Sequence, residues 1–379
     1  MPSLPDFRLE AHFSKWEFKA RHHLTASDME SVEVAELLSW ADAEDREAWR
    51  TLRLGYTETY GAPALRRAIA STYETLSADD VLCFAGAGEA IYIAMQVLLG
   101  PDDHAVVLVP NYQSFEELPL QLCAVTGVAL RPEADWDLSL DDVRAALRPN
   151  TRLIAVNFPN NPTGKVIAPE TWRALVALAE ARGIYLLSDE VYRGLERDPQ
   201  QVLPQAADLS SLGLSINVMS KAYGLPGLRI GWIAVRDRAL LSRFERYKHY
   251  TTICNAGPSE VLATIALKSR ERILARNRAL VADNLALLET FFYARQDLFE
   301  WRAPEGGCVA YPRFRGAEGV EVFCRDLVEQ AGVLLLPSSI YSSRLLPTPV
   351  DRFRIGYGRC GVPAALEALD AWLDARRVD

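Results

Sequence analysis

Between about Thr51 and Val235, short apolar runs rich in β-branched residues alternate with stretches of helical periodicity. The runs VLCFA (81–85), AVVLV (105–109), RLIAVNF (152–158), IYLLSD (184–189), SINVM (215–219) and IGWIAV (230–235) show little alternation of polar and apolar positions. That pattern predicts strands buried on both faces. Between two of them Trp172, Leu175, Val176 and Ala179 recur at helical spacing, and Gly183 closes the helix. Strand, helix, strand repeated in this way predicts a large α/β domain whose mostly parallel sheet is sandwiched by helices.

From Asp237, which suits an N-cap, helical periodicity runs to about Phe292, with Leu240, Phe244 and Tyr247 assigned to one face. This stretch reads as a long connection. The remainder mixes the short strands GCVAYPRF, GVLLLP and FRIGYG with helices at 320–331 and 363–377, as expected of a smaller α+β domain. The expected division is an N-terminal arm and helix (1–50) packing on the small domain, a large domain (51–290) and a small domain (291–379).

The chain has 379 residues, about half of them apolar, and a net charge of -9. The acidic balance argues against nucleic acid as a partner, while leaving room for a local basic pocket. Six scattered cysteines, with no close pair, suggest neither a zinc site nor a disulfide framework. No apolar run approaches the length of a membrane span, and the first residues lack a basic patch followed by an apolar core. The expectation is a soluble, cytoplasmic protein with no membrane partner.

Candidate chemistry falls at strand ends, where open α/β sheets bind ligands. In FAGAGEAIYIAM a strand runs into Gly86, Ala87 and Gly88 and then a helix, which suits a phosphate at a helix N-terminus or merely a tight turn. In NFPNNPTGK, Asn161 is held extended before Pro162 and presents an amide from a loop. Asp189 ends the strand in LLSDEVY, with Tyr192 three residues on; the carboxylate either caps a helix or meets a buried cation. In NVMSKAYGLPGLRIGW, Lys221 follows Ser220 at the end of an apolar strand, and a desolvated lysine is suited to forming a Schiff base. Arg229 between Gly227 and Gly231 could grip a phosphate with two donors. Arg354 in FRIGYG needs an anion, either an internal carboxylate or a ligand's.

In this order the segments resemble the fold type I pyridoxal-phosphate enzymes, the aspartate-aminotransferase-like class I/II aminotransferases, from about Leu54 to Tyr357. The pattern S-K-x-x-x-x-x-G-x-R-x-G implies that Lys221 holds pyridoxal 5′-phosphate as an internal aldimine and that Arg229 holds its phosphate, with Ser220, Ala87 and Gly88 beside it. The resemblance further implies that Asn161 and Tyr192 hydrogen-bond the cofactor O3′ and that Asp189 pairs with the pyridine nitrogen. It also implies that Tyr112 of PNYQSF stacks on the ring and that Arg354 clamps a substrate carboxylate. LGYTETYGAPALRRAIA matches a family segment whose tyrosine, here Tyr56, reaches a phosphate across a homodimer interface with shared active sites.

Three departures from the family pattern stand out. LTASDMES (24–31) replaces the usual glycine-rich segment. Val218 and Gly88 stand where relatives carry phosphate ligands, so Thr251 or Thr252 could help from a neighbouring subunit or simply end a helix. The third departure is one of subfamily. SKAYGLPGLRIGW, VNFPNNPTG and EGGCVAYPRF resemble a capreomycidine-synthase-like subfamily. The resemblance implies an aminotransferase acting on an L-amino acid and a 2-oxo acid. The alternative is a cyclase, lyase or oxidase of an arginine-like amino acid. Asp28 or Glu30 would suit a guanidinium, although solvated arm residues are the plainer reading. A non-catalytic cofactor-binding regulator would call for a DNA-binding domain, and no basic helix supplies one.

Overall fold

The computed structural model describes residues 4–377. Seven strands form its main sheet: β1 (Val81–Phe84), β2 (His104–Val109), β3 (Ala124–Ala129), β4 (Thr151–Asn157), β5 (Tyr185–Asp189), β6 (Gly213–Val218) and β7 (Gly231–Ala234). Their order across the sheet is β1-β7-β6-β5-β4-β2-β3. All neighbours pair in parallel except β7, which runs antiparallel to both β1 and β6.

The six runs expected as strands are strands. Both faces are buried because successive residues serve opposite sides: Leu153 and Ala155 pack on one layer of helices, and Ile154 and Val156 on the other. The first layer includes Ala90, Ile91, Phe115 and Phe244, and the second includes Trp172, Leu175, Val176 and Ala179. The edge strand β3 escaped the sequence reading. Its residues are mostly half-covered, so AVTGVA shows neither a continuous apolar run nor clean alternation.

Six helices matter for the site: α1 (Arg8–Trp16), α2 (Ala87–Leu98), α3 (Pro169–Ala181), α4 (Arg238–Lys248), α5 (Gly257–Lys268) and α6 (Arg270–Ala294). The stretch from Asp237 to Phe292 is therefore three helices, broken by a turn in which Ile253 takes φ 65°. Asp237 caps the first by accepting from Leu240 N at 3.0 Å. Leu240 and Phe244 are buried as expected, but Tyr247 is 42% exposed and Lys248 takes the inward position. The Lys248 ammonium reaches Thr59 O at 2.6 Å and Asn255 Oδ1 at 2.9 Å, which satisfies the cation where an aromatic was expected.

The 25-residue α6 links the main sheet to the C-terminal layer. Ile273, near its start, packs with Trp232 and Ile265, whereas Phe291 and Phe292 join Phe299, Phe323 and Phe353 in a second core. That layer holds an antiparallel sheet of β8 (Val309–Ala310), β9 (Leu336–Pro337) and β10 (Phe353–Gly356), in the order β8-β10-β9. The closing helix α7 (Val362–Arg377) supplies Asp370 and Asp374 to Arg295 just past α6. The first 50 residues divide between the layers. His22 and His23 pair with Val333 and Leu334, while helices Val34–Ser39 and Ala43–Arg50 pack on α5. Among the described residues no helix is long and apolar enough to cross a membrane.

One junction fixes where α2 begins. Gly86 takes φ +100°, and a Cβ on Gly231 of β7 would lie 2.7 Å from Gly86 C and 2.8 Å from Ala87 N. Backbone meets backbone there, so neither side can yield by rotating a side chain. Gly231→Ala should cost about 1–3 kcal/mol, read as a lowered thermal midpoint.

Candidate functional site

A cavity of about 670 Å³ opens beyond the carboxyl ends of β4, β5 and β6. Of the eleven residues that the resemblance assigns to cofactor or substrate, nine line it: Ala87, Gly88, Tyr112, Asn161, Asp189, Tyr192, Ser220, Lys221 and Arg229. Two do not. Arg354 is fully buried just beneath the wall, and Tyr56 is 92% exposed on the outside of its own chain.

Asp189 is the last residue of β5, and burial pushes its carboxyl up to about 7. Its Oδ1 accepts from Val191 N at 3.2 Å, so it caps a turn and not the helix considered from sequence. No cation lies within ion-pair distance of it among the described residues. A ligand nitrogen carrying a proton fits that vacancy in the charge balance.

Lys221 stands three residues beyond β6, in a turn, not at the strand end itself. Burial lowers the affinity of its amine for a proton, with Asp28 and Asp189 pulling the other way. Its Nζ donates to Ser27 Oγ at 2.8 Å. Desolvation favours the neutral form of the amine, which is the form that acts as nucleophile and base.

At the far end, α2 directs its free N–H groups into the cavity and its dipole favours an anion. The Arg229 guanidinium lies against Gly86 and donates to Ala85 O at 3.3 Å and Pro226 O at 3.1 Å. Glu89 in the first turn is occupied: Thr252 Oγ1 donates to it at 2.9 Å, and Thr251 does likewise. Within its own chain this pair therefore serves the end of α2.

Arg354 settles one alternative. No carboxylate pairs with it among the described residues; its guanidinium donates to Thr25 O at 2.7 Å, Tyr341 Oη at 2.6 Å and Asn161 Oδ1 at 3.1 Å. A buried cation held only by neutral acceptors retains a demand for an anion. Tyr341 was not anticipated, since nothing in PSSIYSS marks it; its phenol donates to Asn161 Oδ1 at 3.1 Å. Asn157, also unanticipated, orients the loop by accepting from Asn161 N at 2.7 Å.

The segment 24–31 departs most from the sequence reading. Asp28 is no solvated arm residue: it is buried and pairs with Arg359 at 2.7 Å. Glu30 accepts from Cys360 N at 3.0 Å and does not line the cavity. Glu10 and Glu17 do line it and form no ion pair among the described residues. No group of His, Cys, Asp and Glu there could hold a metal.

The model of the family "aminotransferase class I and II" matches residues 24–369. The chain belongs to that family. It is 30% identical to capreomycidine synthase of Streptomyces vinaceus, over 94% of this chain and 90% of that one. Over half of each chain it is 34% identical to an arginine–pyruvate transaminase of Pseudomonas aeruginosa. A PLP-dependent aminotransferase of Streptococcus suis superposes with a TM-score of 0.91 at 28% identity, covering 100% of this chain and 99% of that one. The PLP-dependent cyclase OrfR superposes at 0.89 and 28%, covering 99% of each.

The chain is thus a pyridoxal 5′-phosphate-dependent enzyme of the aspartate-aminotransferase-like fold. The cavity has what that cofactor asks for: an unpaired buried carboxyl, a desolvated lysine, and a helix N-terminus beside an arginine.

The raised Asp189 has a consequence for the cofactor-free protein. Its folded affinity for a proton exceeds the unfolded one, near pH 4, so its contribution to stability is complete below about pH 4 and is lost as pH rises through about 7. Glu190 and Glu260, also pushed up to about 7, add the same sign, so a difference measurement is needed. Asp189→Asn should be the more stable by on the order of 2 kcal/mol at pH 8, with the gap closing towards pH 4. Urea unfolding of both proteins at the two pH values checks this.

Proposed function

We propose that the protein moves an amino group between an L-amino acid and a 2-oxo acid. The observation that carries this reading is the pairing in one cavity of Asp189, at the end of β5, and Lys221, in the turn after the adjacent β6, neither neutralised by an ion pair among the described residues. When bound, pyridoxal 5′-phosphate supplies an aldehyde for the amine and a cationic ring that accepts electrons from Cα.

The chain's own residues do the rest. Arg354 receives the substrate carboxylate through the wall formed by Asn161 and Tyr341, which fixes the Cα–H bond relative to Lys221. For transamination the amine of Lys221 would take the Cα proton and deliver it to the former aldehyde carbon, not back to Cα. Asp189 would keep the ring nitrogen protonated, and Tyr112 would cover the ring face. Asn161 and Tyr192 would hydrogen-bond its oxygen substituent. Arg229, Ser220 and the N–H groups of Ala87 and Gly88 hold the phosphate, with Val218 supplying only packing. In this reading residues 51–290 carry the cofactor and 291–379 the substrate clamp. Leu54, Tyr56 and Tyr250, exposed together with Ile253, support a second copy of the chain docking there to complete the phosphate site as a homodimer.

A second reading has the same Cα deprotonation lead to cyclisation, elimination or oxidation of an arginine-like amino acid. Two observations favour it: the near full-length similarity to capreomycidine synthase, and Glu10 and Glu17 lining the cavity without an ion pair among the described residues. Both readings accept a cationic side chain, so the products distinguish them.

Lys221→Ala should lose the visible cofactor absorbance and reduce turnover by at least about a thousandfold. With the wild-type enzyme, conversion to the pyridoxamine form on adding an amino donor supports transamination. A cyclic product or oxygen consumption from arginine or its hydroxylated derivatives supports the second reading. Glu17→Gln should raise KM about three- to tenfold for arginine and leave alanine unaffected.

A further inference from the structure

Residues 24–30 form a strap between the main sheet and the C-terminal layer, and it is fastened along its length. Gly356 N donates to Leu24 O at 2.8 Å, Leu24 N to Leu334 O at 3.1 Å, Met29 N to Lys221 O at 3.3 Å and Glu30 N to Gly358 O at 2.8 Å. Three glycines admit its backbone. A Cβ would stand 2.0 Å from Ala26 O at Gly356, 2.5 Å from Asp28 O at Gly358 and 2.7 Å from Glu30 O at Gly224. A strap held this closely presents its side chains in fixed places.

At its middle lies Ser27, buried, with both of its oxygens engaged. Oγ accepts from Lys221 Nζ at 2.8 Å, and the carbonyl accepts from Tyr192 Oη at 3.0 Å. The two groups assigned to the cofactor's reactive end are thus tied to one residue of a segment that departs from the family pattern. Because the lysine N–H is the donor, the amine lone pair stays free to take a proton from Cα. Ser27 itself neither gains nor loses one.

We propose that Ser27 is a positioning residue for Lys221: its hydroxyl holds the free ε-amine in one orientation while its carbonyl holds the Tyr192 phenol. The proposal rests on the reading of Lys221 as the cofactor lysine. The charged and titratable groups facing that amine are Asp28 from the strap, Asp189 at the end of β5, Arg354 from β10, Cys308 before β8, and Tyr192. Arg359 engages one oxygen of Asp28, and the hydrogen bond from the Lys221 amine goes to Ser27 and not to that carboxylate.

The test uses Ser27→Ala, which removes the hydroxyl and keeps the carbonyl, and Ser27→Thr, which restores a hydroxyl. In the cofactor-free proteins the rate of acylation at Lys221 is followed against pH by peptide mass spectrometry. An acceptor stabilises the ammonium form, so the alanine variant's midpoint should fall by about half a unit or more, with the threonine variant returning towards wild type. In the loaded enzyme kcat should drop about five- to thirtyfold in Ser27→Ala with KM within about twofold, and recover in Ser27→Thr. An unchanged midpoint and kcat in Ser27→Ala overturns the proposal, as does a threonine variant no better than alanine. Borohydride reduction of the wild-type holoenzyme separates the two levels. A pyridoxyl group absent from the Lys221 peptide sinks the lysine assignment, whereas its presence beside an unaffected Ser27→Ala sinks only the serine's role.

Discussion

A carboxyl and an amine buried around one cavity, near enough to sense each other's charge and yet not joined in an ion pair, set the terms for the rest of the structure. Each is destabilising where it stands, since a buried ionisable group without a partner is costly. The sheet carries that cost because both faces of its central strands are covered, by Trp172, Leu175 and Val176 on one side and Ile91, Phe115 and Phe244 on the other. At the carboxyl ends of those strands this cover stops. A ligand that brings a protonated nitrogen and an aldehyde answers both demands at once.

The same logic governs the two ends of the cavity. At α2 the backbone of Gly86 and Ala87 leaves no room for a side chain at Gly231, the Arg229 guanidinium leaves none at Gly86, and the helix N-terminus beside that arginine favours an anion. At β10 the Arg354 guanidinium is surrounded by neutral acceptors only. Two anion-seeking places therefore flank Asp189 and Lys221. A molecule with phosphate at one end and carboxylate at the other would satisfy the site, as an amino acid joined to the cofactor does.

What the sequence disclosed follows from where physical signals are local. Lys221, Asp189 and Arg354 stood out because each interrupts an apolar run, and six strands stood out because burial on both faces leaves uninterrupted apolar sequence. The edge strand Ala124–Ala129 was hidden by partial exposure, and Tyr247 was misplaced because Lys248 can bury its stem and satisfy its ammonium on Thr59 and Asn255. Ser27, Tyr341 and Asn157 carry no local mark at all. Ser27 meets Lys221 across 194 residues of chain, and only the glycines at 224, 356 and 358 hint that another backbone passes close by.

Those glycines also bear on specificity. If the positions of the α-carboxylate and of Cα are fixed by Arg354 and Lys221, the substrate side chain is what remains free, and the wall it meets is the N-terminal segment. That wall comprises Glu10 and Glu17, which form no ion pair, and Asp28, whose charge is already matched by Arg359. A cationic side chain would gain attraction from the first two without displacing the Asp28–Arg359 pair, whereas an acidic one would meet repulsion before reaching Arg359. On the proposed reading the N-terminal segment would separate two tasks: the strap and Ser27 would hold the reacting groups in place, and the carboxylates of Glu10 and Glu17 ahead of it would select what is brought to them.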